Sequence, residues 1–446
     1  MVVRRMSDVA AYEKMKDSGI EWIGNIPSHW RVHTLYQLVT QVKEKNSNLQ
    51  EKNLLSLSYG KIKRKDIDSP DGLLPASFDG YNIIKTGDIV LRLTDLQNDH
   101  TSLRVGLATE RGIITSAYTT LRPIDTNNSK YLYYLIHAFD LKKGFYGMGS
   151  GVRQGLNYAE VKELRVVIPD QDEQEAITRF LDEQCVQIDA SIEEAKSSIK
   201  EYKKLRESVI FEAVTKGIGN GQKTKDSGVK WIGEISESFS ITRMRYIVSE
   251  YKAGPFGSSL ITDKLNNTGS ILVYTPEHIA AQKTDLENNL YLPEERRKEM
   301  SQFFVQPGNI IFPIVGSLGR AMLVTDNMPE GIINQRLSKF KLDESQIDTE
   351  YFLWLFARSA FYAQFIEVNC RGSFIVNLTK TIVYDMPVVL PGTLEDQRQI
   401  SAYLSRKCGL IDELIKNKQA LIKELSDYKN ALIFETVTGK RKVVGP

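Results

Sequence analysis

Cysteine is scarce in this 446-residue chain: Cys185, Cys370 and Cys408 are the whole supply, with no CxxC pair and only five histidines to join them. Neither a disulfide framework nor a zinc-ligand set can be assembled from so few groups, and thiols this sparse fit a reducing compartment as small buried apolar residues. No run of about 18 apolar residues occurs, and the opening MVVRRMSDVAAYEKMK lacks the apolar core of a secretory signal, so a cytoplasmic protein without membrane contact is expected. An excess of one charge is missing as well. The net charge is +2, and any surface for nucleic acid has to come from local clusters such as KIKRK at 61–65, KKLR at 203–206 and Lys440 to Lys442, which read equally as solvated surface.

The motifs of common catalytic machinery are absent too. There is no GxxxxGK[ST] phosphate loop, no HExxH, no GxSxG and no Asn-Pro-Pro-aromatic tetrapeptide for holding a flipped base. GMGSGVRQG at 147–155 comes nearest to a glycine-rich fingerprint, but it precedes a strand and a proline rather than a long apolar helix. That loop reads as a turn or as a close approach to DNA by Arg153 and Gln154. The expectation is a chain with no cofactor, no metal and no catalysis of its own.

What is present is a repeat. KDSGIEWIG at 16–24 returns as KDSGVKWIG at 225–233, and VVIPDQDEQEAITRFLDEQCVQID from Val166 returns as VVLPGTLEDQRQISAYLSRKCGLID from Val388. VIFEAVTKG at 209–217 answers LIFETVTGK at 432–440, while the blocks between share only landmarks such as GDIV at 87–90 with GNII at 308–311. Two alike frames therefore carry two unlike inserts.

The repeated segments are helical by their spacing. Ile177, Leu181, Cys185, Ile188, Ile192, Ala195, Ile199, Tyr202, Leu205 and Val209 alternate steps of three and four, and Ile400, Leu404, Cys408, Ile411, Ile415, Ile422, Leu425, Tyr428 and Leu432 occupy matching places. So narrow a stripe needs a partner helix, and the other copy supplies one, so a coiled coil is expected. Pro169 and Pro391 mark the starts, Gly217 and Gly439 the ends. The insert blocks mix strand-like runs such as YNIIKTGDIVLRL with helical KYLYYLIHAF, so each is expected to be a compact α+β unit. The expected divisions are 1–165 for the arm and first block, 166–217 for the first helix, 218–387 for the linker and second block, and 388–446 for the second helix and tail.

The WIG segments with Trp30 and Phe239 downstream, the acid-glutamine pairs Glu173-Gln174 and Asp396-Gln397, and the closing FEAVTKG and FETVTGK resemble the specificity subunits of type I restriction-modification systems over nearly the whole chain. Ser236 stands where the first copy has Pro27, a small departure. The resemblance implies two target-recognition domains joined and held apart by antiparallel spacer helices related by a pseudo two-fold axis, reading a split site on double-stranded DNA. It implies docking of two methyltransferase subunits that methylate adenine, with motor and endonuclease subunits joining for cleavage. Methyl donor, ATP and Mg belong to those partners. Arginine and glutamine pair bidentately with guanine and adenine, so Arg92, Gln97, Arg104, Arg153 and Gln154 in the first block, and Arg320, Gln335, Arg336 and Arg371 in the second, are the candidates for base contact. Lys61, Lys63, Arg64 and Lys65 suit phosphates. The rival readings are an assembly scaffold that does not read DNA and an unrecognised nuclease or transferase.

Overall fold

The computed structural model describes residues 11–67, 75, 77–96, 98–99, 101–148, 155–219, 221–256, 260, 265–316, 318–369 and 378–443. The chain divides into two compact units, residues 1–196 with 419–446 and residues 197–418.

In the first unit, strands β1 (Val39–Gln41), β4 (Ile89–Leu91), β5 (Val105–Leu107) and β6 (Thr119–Pro123) form an antiparallel sheet in the order β1-β6-β4-β5. A hairpin of β2 (Leu55–Ser58) and β3 (Lys61–Arg64) stands beside it. Its two-residue turn, Tyr59-Gly60, has positive φ at both positions (47° and 74°), the backbone that matches the twist of paired strands. Helix α1 (Ser129–Leu141) buries Tyr131, Leu132, Leu135, Ile136 and Phe139 in the core together with Ile89, Leu91 and Leu121 of the sheet. The strand Arg165–Ile168, paired with Arg31–Thr34, then leads into the long helix α2 (Gln171–Lys216). Asp170 caps α2 by accepting the Glu173 N–H at 3.0 Å, as an aspartate at that position should.

The second unit repeats the plan. Strands β7 (Val248–Ala253), β8 (Asn309–Pro313), β9 (Met322–Leu323) and β10 (Leu337–Leu342) follow the same sheet order, β7-β10-β8-β9, with the short helix α3 (Pro276–Ala281) between β7 and β8 in sequence. Helix α4 (Thr349–Phe356) packs Tyr351, Phe352 and Phe356 into a core shared with Phe312 and Phe340. The strand Pro387–Leu390 then leads into α5 (Leu394–Val437), capped by Thr393 and Asp396, which exchange bonds between side chains and backbone N–H groups at 3.1 Å.

Each unit combines the start of one long helix with the end of the other. In the first, Ile177, Leu181, Cys185, Ile188 and Ile192 share a core with Leu432, Ile433 and Val437, and Asp189 pairs with Lys429 at 2.7 Å. In the second, Ile400, Leu404 and Cys408 share a core with Ile210, Ala213 and Val214, and Asp412 pairs with Arg206 at 3.1 Å. Asp189 and Asp412 hold the same place in the repeat, as do Arg206 and Lys429, so the two pairs are one interaction with its partners exchanged. The Tyr131 hydroxyl is shared between the Val167 and Val437 carbonyls, both at 3.1 Å, and Tyr351 repeats this with Val389 at 3.0 Å and Val214 at 3.4 Å. Start against end means antiparallel pairing.

The α+β class, the internal repeat and the antiparallel helices expected from the sequence are present. The stripe departs at the same place in both copies: Leu205 is 50% and Tyr428 40% exposed, while Ile210, Ala213 and Val214 in the first and Ile433 and Val437 in the second are buried. A straight helix turns by about 20° per heptad against a 3.5-residue repeat, so a strict stripe leaves the interface over several heptads.

Candidate nucleic-acid interface

The hairpin presents the first cluster. Leu55 and Leu57 of β2 are buried against Ile84, Val90 and Ile114, which leaves Lys61, Lys63, Arg64 and Lys65 exposed. Period-two alternation along β3 puts Lys61, Lys63 and Lys65 on the face away from Leu55 and Leu57, while Arg64, opposite Leu55, reaches out to Glu110. Arg64 grips Glu110 through Nε at 2.9 and 2.8 Å to the two carboxylate oxygens, and this bond holds the Glu110 carboxyl below its ordinary range. Lys61 lies 3.7 Å from Asp189. The turn touches the next element: a side chain at Gly60 would meet Leu103 at 3.0 Å.

The loop between β4 and β5, residues 92–104, carries Arg92 and Arg104. Arg92 sits 3.8 Å from Asp99, whose carboxyl is held well below the usual range, foremost by the Ser102 hydroxyl and N–H. Arg104, expected at the DNA surface, is instead fully buried. Its guanidinium donates to the carbonyls of Arg92 (3.1 Å), Thr94 (2.9 Å), Asp95 (3.3 Å) and Asp99 (2.5 Å) and to the Tyr146 hydroxyl (3.0 Å). With its donors spent on the loop's own backbone, it shapes that loop and has no face left for a base. Gln97, Arg153, Gln154 and Arg371 lie outside the described residues.

In the second unit two expected residues meet α3. Arg336 lies 3.7 Å from Glu277 in its first turn, and Arg320 donates to the Ala280 carbonyl at 3.3 Å near its end. Gln335 is exposed beside Arg336 in the turn where the Leu337 N–H bonds the Asn334 carbonyl at 3.2 Å. Phe256, 85% exposed, stands at the far end of the strand β7 segment. Long donors around a short helix on a surface loop suit contact with base edges and phosphates.

Two features escaped the sequence reading. The tyrosine tethers are legible only as aromatic core positions, because their hydroxyl partners are remote in sequence. The alternation of Lys339, Phe340 and Lys341 marks a strand with charge on one face, but the sequence does not show that this face meets Lys252. Among the described residues one group of side chains has metal-ligand spacing, His29, Asp170 and Glu173. Glu173 there accepts from Tyr12 (2.5 Å), His29 (2.8 Å) and Trp30 (2.9 Å), so the carboxylate is satisfied as a lock on the start of α2. Among the described residues no helix is long and apolar enough to cross a membrane.

Residues 256–424 match the family model described as the type I restriction modification DNA specificity domain. The specificity subunit of the type I restriction enzyme MjaVIII from Methanocaldococcus jannaschii is 21% identical over 319 residues, covering 70% of this chain and 71% of the relative. A solved chain from work on complex assembly and conformational transition of the type I R-M system superposes with a TM-score of 0.66 at 13% identity, covering 92% of this chain and 98% of that one. This last likeness speaks for the fold.

Proposed function

We propose that this chain, which belongs to the type I restriction-modification specificity subunits, reads two separate stretches of one DNA duplex with its two unlike units and contributes specificity rather than catalysis. The observation that carries the reading is the partner exchange: Asp189 with Lys429 and Asp412 with Arg206 are one contact made twice, with the helices trading roles. A frame contact made once in each unit gives each unlike insert the same kind of support, so the chain carries two recognition surfaces built on one plan. The inserts differ, so the two half-sites differ.

The recognition blocks are residues 20–165 and 218–387, and the spacers 166–217 and 388–446. Methyltransferase subunits dock on this frame, one near each block, and flip an adenine into their own pocket with their own methyl donor. Motor and endonuclease subunits bring ATP and Mg, and the complex acts in the cytoplasm on double-stranded DNA. Phosphate contacts by Lys61, Lys63, Arg64 and Lys65 fix position, while Arg92, Arg320, Gln335 and Arg336 face bases.

The test is an exchange of residues 20–165 for the corresponding block of another family member, followed by mapping of methylated adenines across the host genome. One half of the methylated sequence is expected to change and the other to persist. Change in both halves, or in neither, would overturn the division of labour.

A further inference from the structure

One cleft in the second unit concentrates positive charge at a cost to the sheet that holds it. Lys252 of β7 stands directly opposite Lys339 of β10, and Lys341 follows on the same face, opposite Glu250. Like charges directly opposite one another destabilise a sheet. Lys339 is half-buried with its ammonium donating to the Phe304 carbonyl, and burial, with Lys252 adding to it, pushes its pKa below the ordinary lysine value. Lys252 donates to the Gln302 amide oxygen and lies 5.2 Å over the Phe303 ring. These residues line a cleft of about 290 Å³ with Asn309 and Glu250. Three ammonium groups face one carboxylate.

The first unit shows what the same place looks like without such a cluster. Leu121 pairs with Ile89 as Phe340 pairs with Ile310, so Thr120 corresponds to Lys339, Arg122 to Lys341 and Asp88 to Asn309. Val42, whose N–H bonds the Thr120 carbonyl at 2.9 Å, corresponds to Lys252. Val42 and Thr120 are buried, and Arg122 is held bidentately by Asp88 at 2.8 and 2.7 Å. The position is closed and neutral there. In the second unit the counter-acid is replaced by Asn309 and two neutral residues by lysines.

We propose that the cleft formed by Lys252, Lys339 and Lys341 binds a phosphate group, and that its ligand is the DNA backbone beside the second unit. The assignment to DNA rests on the function proposed above. A tetrahedral dianion or phosphodiester would relieve the repulsion between facing lysines, and Gln302 and Asn309 offer further polar atoms at the rim. Such a contact fixes the second unit on the duplex without reading sequence.

The test is the pair Lys252→Gln and Lys341→Gln in the complete chain with its methyltransferase partners, since both side chains reach solvent while Lys339 anchors the strand. Affinity is measured against salt concentration on a duplex carrying the methylated sequence and on an unrelated duplex. Each lost phosphate contact lowers the slope of log affinity against log salt by about 0.9. The expected result is a slope shallower by about 1 to 2 on both duplexes, an unchanged methylated sequence, and retention of the slope by Lys252→Arg with Lys341→Arg. An unchanged slope on both duplexes would overturn the proposal. If the unaltered complex failed to distinguish the two duplexes, the sequence-reading function would fall while the slope on the unrelated duplex would still judge the cleft. Saturable binding of inorganic phosphate at fixed ionic strength, lost in the glutamine variant while the DNA slope stays the same, would overturn the assignment to DNA.

Discussion

Arg104 and Arg320 occupy one position in two units. Each stands three residues before the residue that pairs with the first core isoleucine of its sheet, Leu107 opposite Ile89 and Leu323 opposite Ile310. Arg104 is fully buried and bonded on all sides, whereas Arg320 is exposed with one bond to the Ala280 carbonyl at 3.3 Å. The surroundings make the difference. The loop 92–104 is long enough to curl its carbonyls around a guanidinium, and Asp140 of α1 accepts the Arg104 N–H at 2.6 Å. The loop 314–321 is shorter, and the repeat places Ala360 where the first unit has Asp140. An arginine's identity thus says little about its task; the length of its loop and the acid beside it decide whether it builds the protein or faces outward.

The strongest way to break this comparison is to remove both guanidinium groups. Arg104→Met strands four carbonyls and a hydroxyl in the interior, and a loss of about 3 to 4 kcal/mol from the first unit is expected in chemical denaturation. Arg320→Met should change stability by no more than about 0.5 kcal/mol, because its side chain is solvated, yet lower discrimination in one half-site by about 1 to 3 kcal/mol. If the two variants had equal stability, the distinction between builder and reader would be gone.

A second difference is titratable. Burial, partly offset by the Arg104 N–H, pushes the Asp140 carboxyl up to about 6, and burial, reinforced by Lys429, pushes His137 down to about 4. A raised carboxyl contributes stability that is complete below pH 4 and lost as pH rises through 6. A lowered imidazole contributes stability that is present above pH 6.5 and lost as pH falls toward 4. Each effect amounts to about 3 kcal/mol, and they oppose one another across the same range. Asp140→Asn should therefore leave His137 unopposed, so that the first unit loses about 3 kcal/mol between pH 6.5 and 4, read as a shift in urea midpoint relative to the unaltered chain. The second unit, with Ala357 and Ala360 at these places, should not shift. Where the units agree, the effects should agree: Tyr131→Phe and Tyr351→Phe each remove one hydroxyl from two buried carbonyls and should cost about 1 to 2 kcal/mol apiece.

Much of the frame is legible in the sequence. Prolines, glycines and the three-four spacing located α2 and α5, because helices of that length leave a regular imprint on sequence. That the two helices pair followed from matching stripes, whereas their antiparallel sense came only with the family resemblance and is shown by Asp189 with Lys429 and Asp412 with Arg206. The candidate site was less legible. Lys61, Lys63, Arg64 and Lys65 are exposed on one hairpin, but Arg104 lies buried, because a buried arginine and a solvent-facing arginine are the same letter, and only the carbonyls of residues 92, 94, 95 and 99 tell them apart. The lysines at 252, 339 and 341 meet across strands, and a contact between residues that far apart in sequence leaves no local pattern.

The smallest expected effect sharpens the comparison most finely, because it separates stability from recognition on one side chain. Leu54 bridges Ile113 in parallel, as Val273 pairs with Ile332, so the hairpin of β2 and β3 stands where the second unit runs a strand into α3. Arg64 on that hairpin is bonded to Glu110, but its side chain is 73% exposed, and solvent screens an ion pair there so that it adds little to stability. Arg64→Gln should accordingly move the denaturation midpoint of the first unit hardly at all, and less still at 1 M salt, where screening acts over about 3 Å. Its DNA affinity should nonetheless fall, with the salt slope shallower by about 0.9, if the hairpin grips a phosphate. A large stability loss with an unchanged slope would make Arg64 a structural residue like Arg104 and move the DNA contact elsewhere on the first unit.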